Sequence, residues 1–345
     1  MSFSIGVILV TLGGILEGLF SIPVTKMKSW QFENIWGIGS LFALLLLPWP
    51  LATLYVEDLS QLYSSIPNTV LIGVVLSGVA WGIGGIYWGR AIAAMGMALG
   101  VSILMGLINI FGSIVPLSVF EPSQLATKGG YVLISAVTIM ILGVVIMSVA
   151  AKQKETALIS KDKSTNTSHV KGSFKSGILF CIISGILSAG VNFAFIFGAP
   201  ITDQAIAMQV PEYATSFALW SLVFTANFFI NTIYGFYMMV KKGTFKNLKK
   251  GSLTIEWLGA LFMGLAWPGG IIIYGIGANA MGDYGAYAGF PMMILASILT
   301  GNLAGALGGE WKNSGSKTRR IMLYGVLTLC VAFILLGYST YVMNN

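Results

Sequence analysis

An all-α integral membrane protein of ten transmembrane helices, built as an inverted five-plus-five repeat, is the fold this sequence predicts. Three observations carry the prediction: long apolar runs in a chain with few charges, a one-sided placement of the basic residues, and a likeness between the two halves. Of 345 residues, 56 % are hydrophobic and only 9 % charged, against about 25 % charged in a soluble domain. About 20 apolar residues cross a bilayer as helix. In lipid only helices and closed barrels satisfy the backbone, and these runs are too long and too continuously apolar for barrel strands.

The runs place spans at about 4–25, 35–56, 70–89, 97–119, 130–150, 175–199, 213–239, 254–275, 284–308 and 319–341. The opening "MSFSIG" has no Lys or Arg, and no small-residue cleavage site follows, so the first run reads as a membrane helix and not a cleaved signal. The odd-numbered connections hold eighteen of the nineteen basic residues, and the even ones only Lys128. By the positive-inside rule the odd connections are cytoplasmic and both termini lie outside. The polar stretch after the fifth span divides the chain into a first five-helix repeat (1–151), a cytoplasmic linker (152–174) and a second repeat (175–345).

The halves share sequence. "AWGIGGIYWGRAIAAMG" (80–96) and "AWPGGIIIYGIGANAMG" (266–282) have eight identities in seventeen positions, where this composition gives roughly two by chance. "GIL" occurs at 14–16 and again at 185–187, which aligns Ser188 with Glu17. Five helices is an odd number, so the second copy is inverted in the membrane. Inverted repeats with a midplane site at their interface mark secondary transporters.

Other function classes find little support. Cys181 and Cys330 lie in apolar runs, against a disulfide framework or a zinc site. The sole histidine, His169, sits in the lysine-rich linker, and no serine–histidine pair lies in a span, so neither a cofactor nor an intramembrane hydrolase is expected. "GIGGIYWG" has no strand before it, which removes the dinucleotide reading. The basic residues are scattered over connections, so nucleic acid is not an expected partner. The "NTS" sequon at 166–168 falls in the cytoplasmic linker and reads as accidental.

Glu17 is the exception in the first span. Its neighbours on the helical wheel include Gly13, Gly14 and Ser21, a small-residue face that packs against other helices. A carboxylate at a helix centre costs ~3 kcal/mol to insert, and desolvation penalises the charged form. No basic residue lies at a comparable depth. A carboxyl able to take and lose a proton suits a proton-coupled carrier; a permanently protonated structural glutamate is the alternative. Glu256, one turn from a span end, reads as interfacial.

Trp81 and Trp88 share one helix face with Gly84 and Gly85 between them; Trp267 and Tyr274 occupy the aligned positions around Gly270. Two aromatic faces across a glycine gap suit the C–H faces of a sugar, while core packing or the interfacial belt explains each ring taken singly. Asn109 lies on a stripe with Ser102, Gly106, Ser113 and Pro116. Ser188 pairs with Asn192, and Asn227 and Asn231 lie with Trp220 and Tyr234. Buried amides need partners, either one another or the hydroxyls of a ligand. Amides with aromatics, one central acid and no central base point to a neutral polyhydroxylated ligand.

Further residues extend the picture along nearly the whole chain: "KMKSWQFENIW" after the first span, "LPW" at 47–49, "YSS" at 63–65, "WGIGGIYWG" in the third span, "GMALGVSI" in the fourth, "SGILSAGVNFAF" in the sixth and "GEWKNSGSKTRR" before the tenth. With these motifs the chain resembles the L-rhamnose–proton symporter family of the drug/metabolite transporter superfamily. The resemblance implies the ten-helix inverted repeat and uptake of a 6-deoxy sugar with a proton across the bacterial inner membrane. The role given to Glu17 rests on the residue argument alone.

The sequence thus predicts a carrier, acting as a monomer, that imports a monosaccharide by alternating access. H+ is its coupling ion, with Na+ left open. Glu17 takes the proton. Trp81, Trp88, Trp267 and Tyr274 stack on the sugar, and Asn109, Ser188, Asn192, Asn227 and Asn231 bond its hydroxyls. An exporter of small metabolites or drugs and a non-transporting sugar sensor are the alternatives.

Overall fold

The computed structural model describes residues 1–20, 22–95, 97–161, 174–309, 311 and 314–344. Ser21, His169 and the 166–168 sequon lie outside the described residues. Among the described residues ten helices are long and apolar enough to cross a membrane: Phe3–Val24, Phe32–Tyr55, Asn68–Met95, Gly100–Phe120, Lys128–Lys154, Lys175–Ala207, Glu212–Lys242, Leu253–Ala280, Gly285–Leu307 and Ser316–Asn344. These are the ten spans expected from hydropathy, with shifted ends. The third runs six residues further, and the helix of the fifth continues to Lys161, into the polar stretch read as linker. Backbone hydrogen bonding carries a helix past the point where its apolar face ends.

Several spans are not uniform α-helix. Residues Phe42–Leu46, Ile110–Ile114 and Leu253–Trp257 form π-helical turns in the second, fourth and eighth spans. The first two are closely followed by Pro48 and Pro116. A proline cannot donate to the carbonyl four residues earlier, and lipid offers that carbonyl no water. At Pro116 and Pro291, neighbouring spans supply the missing donor. Pro116 leaves Gly112 O free, and Asn192 Nδ2 donates to it at 2.6 Å. Pro291, inside the ninth span, leaves Tyr287 O free, and the Ser113 hydroxyl donates to it. Ser113 and Pro116 of the polar stripe therefore serve the backbone.

The first span packs on the eighth and ninth, and the third span packs on the sixth and seventh; the fourth also meets the sixth, the second meets the seventh and eighth, and the fifth meets the tenth. Exchanging each span for its counterpart five further on leaves this set unchanged. The correspondence extends to single residues. Gly13 lies so close to the eighth span that a Cβ there would stand 2.5 Å from Gly270 O; in the other half, Ser184 Oγ donates to Gly84 O at 2.8 Å. Gly6 abuts Met281 as Gly177 abuts Met95, and Gly14 abuts Met293 as Gly185 abuts Leu107.

The lysine-rich end is clamped by buried carboxylates. Glu33 accepts from Lys242 Nζ at 2.9 Å and from Thr244 Oγ1 at 3.0 Å, joining the second span to the end of the seventh. Glu256, read from the sequence as interfacial, is instead buried. It accepts from Ser29 N at 3.1 Å and from Ser252 N and Oγ at 2.9 Å. An acid at a helix start satisfies amides that have no partner in the first turn, which is why it folds inward. At the opposite end Tyr63 OH bonds Ala218 O and Ser221 Oγ at 2.9 and 2.8 Å.

Candidate substrate site

Trp267 stands mid-span in the eighth helix and touches rings from three others: Trp36 of the second span at 5.3 Å, Trp81 of the third at 5.5 Å and Phe20 of the first at 6.3 Å between centroids. Trp81 in turn meets Phe224 of the seventh span at 5.8 Å. The cluster thus joins both halves of the chain. Trp36, Trp81 and Trp267 are each only partly buried. Trp220 and Tyr274 differ: both are fully buried, in a ladder of rings with Phe195, Phe224 and Phe290.

Glu17 lies at the edge of this cluster. Its Cγ and backbone N are 3.1 and 3.3 Å from where a Cβ on Gly270 would stand, one turn beyond Trp267. Phe20, three residues on, reaches the Trp267 ring. Glu17 is partly buried and among the described residues makes no ion pair. Ser188, aligned with Glu17 by sequence, occupies the equivalent place: its Oγ and N lie 2.5 and 2.7 Å from a Cβ position on Gly84.

The amides divide into two groups. Asn231 accepts from Trp36 Nε1 at 3.1 Å and donates to Gly82 O at 3.2 Å and to Asn227 Oδ1 at 2.5 Å. Both amides are buried beside the tryptophan cluster, and Asn227 Nδ2 has no partner among the described residues. Asn192 instead spends its whole capacity within the bundle. It accepts from Tyr274 OH and donates to Gly112 O and, at 3.2 Å, to Ala286 O, joining the fourth, sixth, eighth and ninth spans. Asn109 Nδ2 donates to Met105 O of its own helix at 2.7 Å.

Of the residues singled out by sequence, Glu17, Trp81, Trp267, Asn227 and Asn231 come together, with Ser188 against the third span. Asn192 and Tyr274 bond each other, apart from the partly open tryptophans. Trp88, two turns from Trp81, packs beside the cluster of Ala91, Leu104 and Cys181. Sequence reasoning missed Trp36, Phe20 and Phe224. Trp36 falls in the quoted "KMKSWQFENIW" but near a span end, where a tryptophan reads as interfacial belt. Phe224 lies four residues after Trp220, a spacing that did signal a shared face.

A cavity of about 480 Å³ opens at the end opposite the lysines, lined by Thr202, Asp203, Glu212, Asn279, Asp283 and Tyr287 among others. It reaches Phe195 and Ala286, hence the neighbourhood of the Asn192–Tyr274 pair.

Comparison with known proteins follows this geometry. The family described as L-rhamnose-proton symport protein (RhaT) matches residues 1–341. An L-rhamnose-proton symporter of Yersinia pestis (strain Pestoides F) is 28 % identical over 343 residues, covering 96 % of this chain and 97 % of that protein. One of Mannheimia succiniciproducens is 27 % identical over 344 residues, covering 97 % and 98 %. A ten-helix membrane bundle with a tryptophan cluster between its halves, matched over nearly its whole length, belongs to the L-rhamnose–proton symport family of membrane transporters.

Proposed function

We propose that this protein imports L-rhamnose or a closely related 6-deoxy sugar with a proton across the bacterial inner membrane, by alternating access between two inverted five-helix repeats. The observation that carries the reading is the partly open tryptophan cluster in which Trp267 meets Trp36, Trp81 and Phe20. Indole faces offer a neutral sugar apolar C–H contact, while Asn227 and Asn231 beside them offer polar contact to its hydroxyls. The substrate class comes from the names of the relatives. The recurrence of the Gly13–Gly270 contact as Ser184–Gly84 supports the repeat.

Glu17 is the proton site. It stands against the eighth span one turn from Trp267, so proton and sugar occupy adjacent places. One inward charge gains ~2.3 kcal/mol per 100 mV, enough to concentrate a neutral sugar about fifty-fold. The Asn192–Tyr274 pair is the latch between the central cluster and the cavity at the far end. Its bonds tie four spans together and must break when that end opens. The lysine-rich connections face the cytoplasm, both termini are periplasmic, and the chain works as a monomer.

L-rhamnose uptake into proteoliposomes tests the reading. Wild type accumulates the sugar under an inward proton gradient, and an inward sodium gradient does not substitute. Absence of any L-rhamnose uptake overturns the substrate. Accumulation driven by sodium alone overturns the coupling ion.

A further inference from the structure

We infer that a fixed relay, Trp36 to Asn231 to Asn227, turns the Asn227 side chain into an obligate donor whose Nδ2 holds one hydroxyl or ring oxygen of the substrate. The inference rests on the reading that the tryptophan cluster takes a neutral sugar, and adds which atom is read and what polarity it must have.

The direction of the relay follows from donor and acceptor inventory. An indole N–H can only donate. Trp36 Nε1 lies 3.1 Å from Asn231, so that amide must turn its Oδ1 toward Trp36. Its Nδ2 then faces Gly82 O at 3.2 Å, a carbonyl that can only accept. A donor on one side and an acceptor on the other forbid the flipped amide. The second hydrogen of Asn231 Nδ2 goes to Asn227 at 2.5 Å, so the Asn227 atom there must be Oδ1. Nothing in this chain of bonds is free to reverse. What remains is Asn227 Nδ2, two hydrogens on a side chain 1 % exposed and without a partner among the described residues.

A buried N–H without a partner is rare in native structures, and lipid supplies no water to relieve it. The other membrane amides show how the bundle treats such groups when they are structural. Asn192 donates to two carbonyls, and Asn109 and Asn302 donate to carbonyls of their own helices. Asn227 is the one of these amides whose Nδ2 makes no bond among the described residues, and it lies beside the partly buried rings. Phe224, three residues earlier on the same helix, touches Trp81. Gly82, next to Trp81, faces Asn227 Oδ1 at 3.2 Å from its Cβ position. Asn227 thus sits on the helix whose Phe224 touches Trp81, with its amide against the residue next to Trp81. Trp36 and Asn231 are positioning residues: they set the polarity of Asn227.

A donor of fixed polarity makes a specific demand. The ligand atom opposite it must be an acceptor, so replacing one hydroxyl by hydrogen removes the bond, while replacing it by fluorine keeps a weak acceptor. The test is competition of monodeoxy and monofluoro L-rhamnoses against labelled L-rhamnose uptake, for wild type, Asn227→Leu, Asn227→Val and Trp36→Phe. Wild type should show one position where deoxygenation weakens competition about tenfold and fluorination weakens it less. In Asn227→Leu that one penalty should vanish, with the penalties at other positions unchanged. Asn227→Val, smaller and also without an N–H, should lose the distinction as well. Trp36→Phe should blunt it at that one position. A loss spread evenly over all analogues in the Asn227 variants, or a penalty that survives there, overturns the relay even though sugar is carried. A wild type that carries no L-rhamnose overturns the sugar reading itself, and this inference with it.

Discussion

Trp81 and Trp267 meet edge to face, 5.5 Å between centroids and 65° between planes. They come from aligned positions of the two halves, one on the third span and one on the eighth. In that geometry the positive edge of one ring meets the negative face of the other, and each keeps part of its surface uncovered. A sugar bound there touches both halves at once.

Replacing either ring with alanine should therefore weaken substrate binding while the bundle survives. The expected effect on the KM for L-rhamnose is about tenfold for each, with Trp267→Phe recovering most of it. An unchanged KM for Trp267→Ala removes that residue from the site. Trp88→Ala should change KM little, because Trp88 packs beside Cys181 and Leu104.

Glu17→Gln keeps the shape of the side chain and removes its titration. The variant should exchange labelled for unlabelled sugar across the membrane, yet fail to accumulate it under a proton gradient. Accumulation at the wild-type level would make Glu17 structural.

The carbonyls freed by proline give a stability prediction with an internal control. Asn192→Leu leaves Gly112 O without its donor and should destabilise the protein in detergent by about 1 kcal/mol or more. Pro116→Ala restores a backbone N–H to that carbonyl. The double variant should thus recover thermal stability relative to Asn192→Leu alone. Ser113→Ala with Pro291→Ala should behave the same way at Tyr287 O. Equal melting temperatures for the single and double variants would refute the exchange.

Gly13→Val introduces a Cβ 2.5 Å from Gly270 O and should cost about 1–3 kcal/mol through forced separation of the first and eighth spans. Gly89→Ala, where a Cβ meets nothing within 4 Å, should be neutral. Thermal unfolding in detergent separates the two.

Tyr63, in the connection after the second span, has its hydroxyl pushed up by burial from 10.0 to about 12. The folded state then holds the proton where the unfolded state has lost it, so its contribution is complete below pH 10 and falls away as pH rises to 12. Wild type should lose more thermal stability over that interval than Tyr63→Phe. Parallel alkaline curves for the two proteins would contradict this.

Much of this was legible beforehand, and the reasons are particular. Ten spans could be read because apolar length is a one-dimensional property, as in Lys128–Lys154. The alignment of Glu17 with Ser188 came from three letters, "GIL", and the two residues do sit at corresponding glycines, Gly270 and Gly84. What a linear pattern could not supply was the partner of each polar group. Asn192 and Asn227 read alike as buried amides, but the first is taken up by the Gly112 carbonyl that Pro116 frees, 80 residues away in sequence, and the second ends a relay begun at Trp36. The π-helical turns at 42–46 and 110–114 leave no trace in hydropathy, since one extra residue in a turn keeps the composition of the span. For Glu256, depth marks the span end but does not reveal that the Ser29 and Ser252 amides hold its carboxylate buried there.

The close contact of the first span with the eighth at Gly13 and Gly270, and of the third with the sixth at Gly84 and Ser184, has a bearing on how such a machine can be damaged. If one seam opens while its twin shuts, the two share a single mechanical ratio, and stiffening one or the other biases the molecule toward opposite doorways. Wedges at Gly13 and at Gly84 would then trap the carrier facing opposite compartments, and a chain bearing both would regain its balance while losing speed.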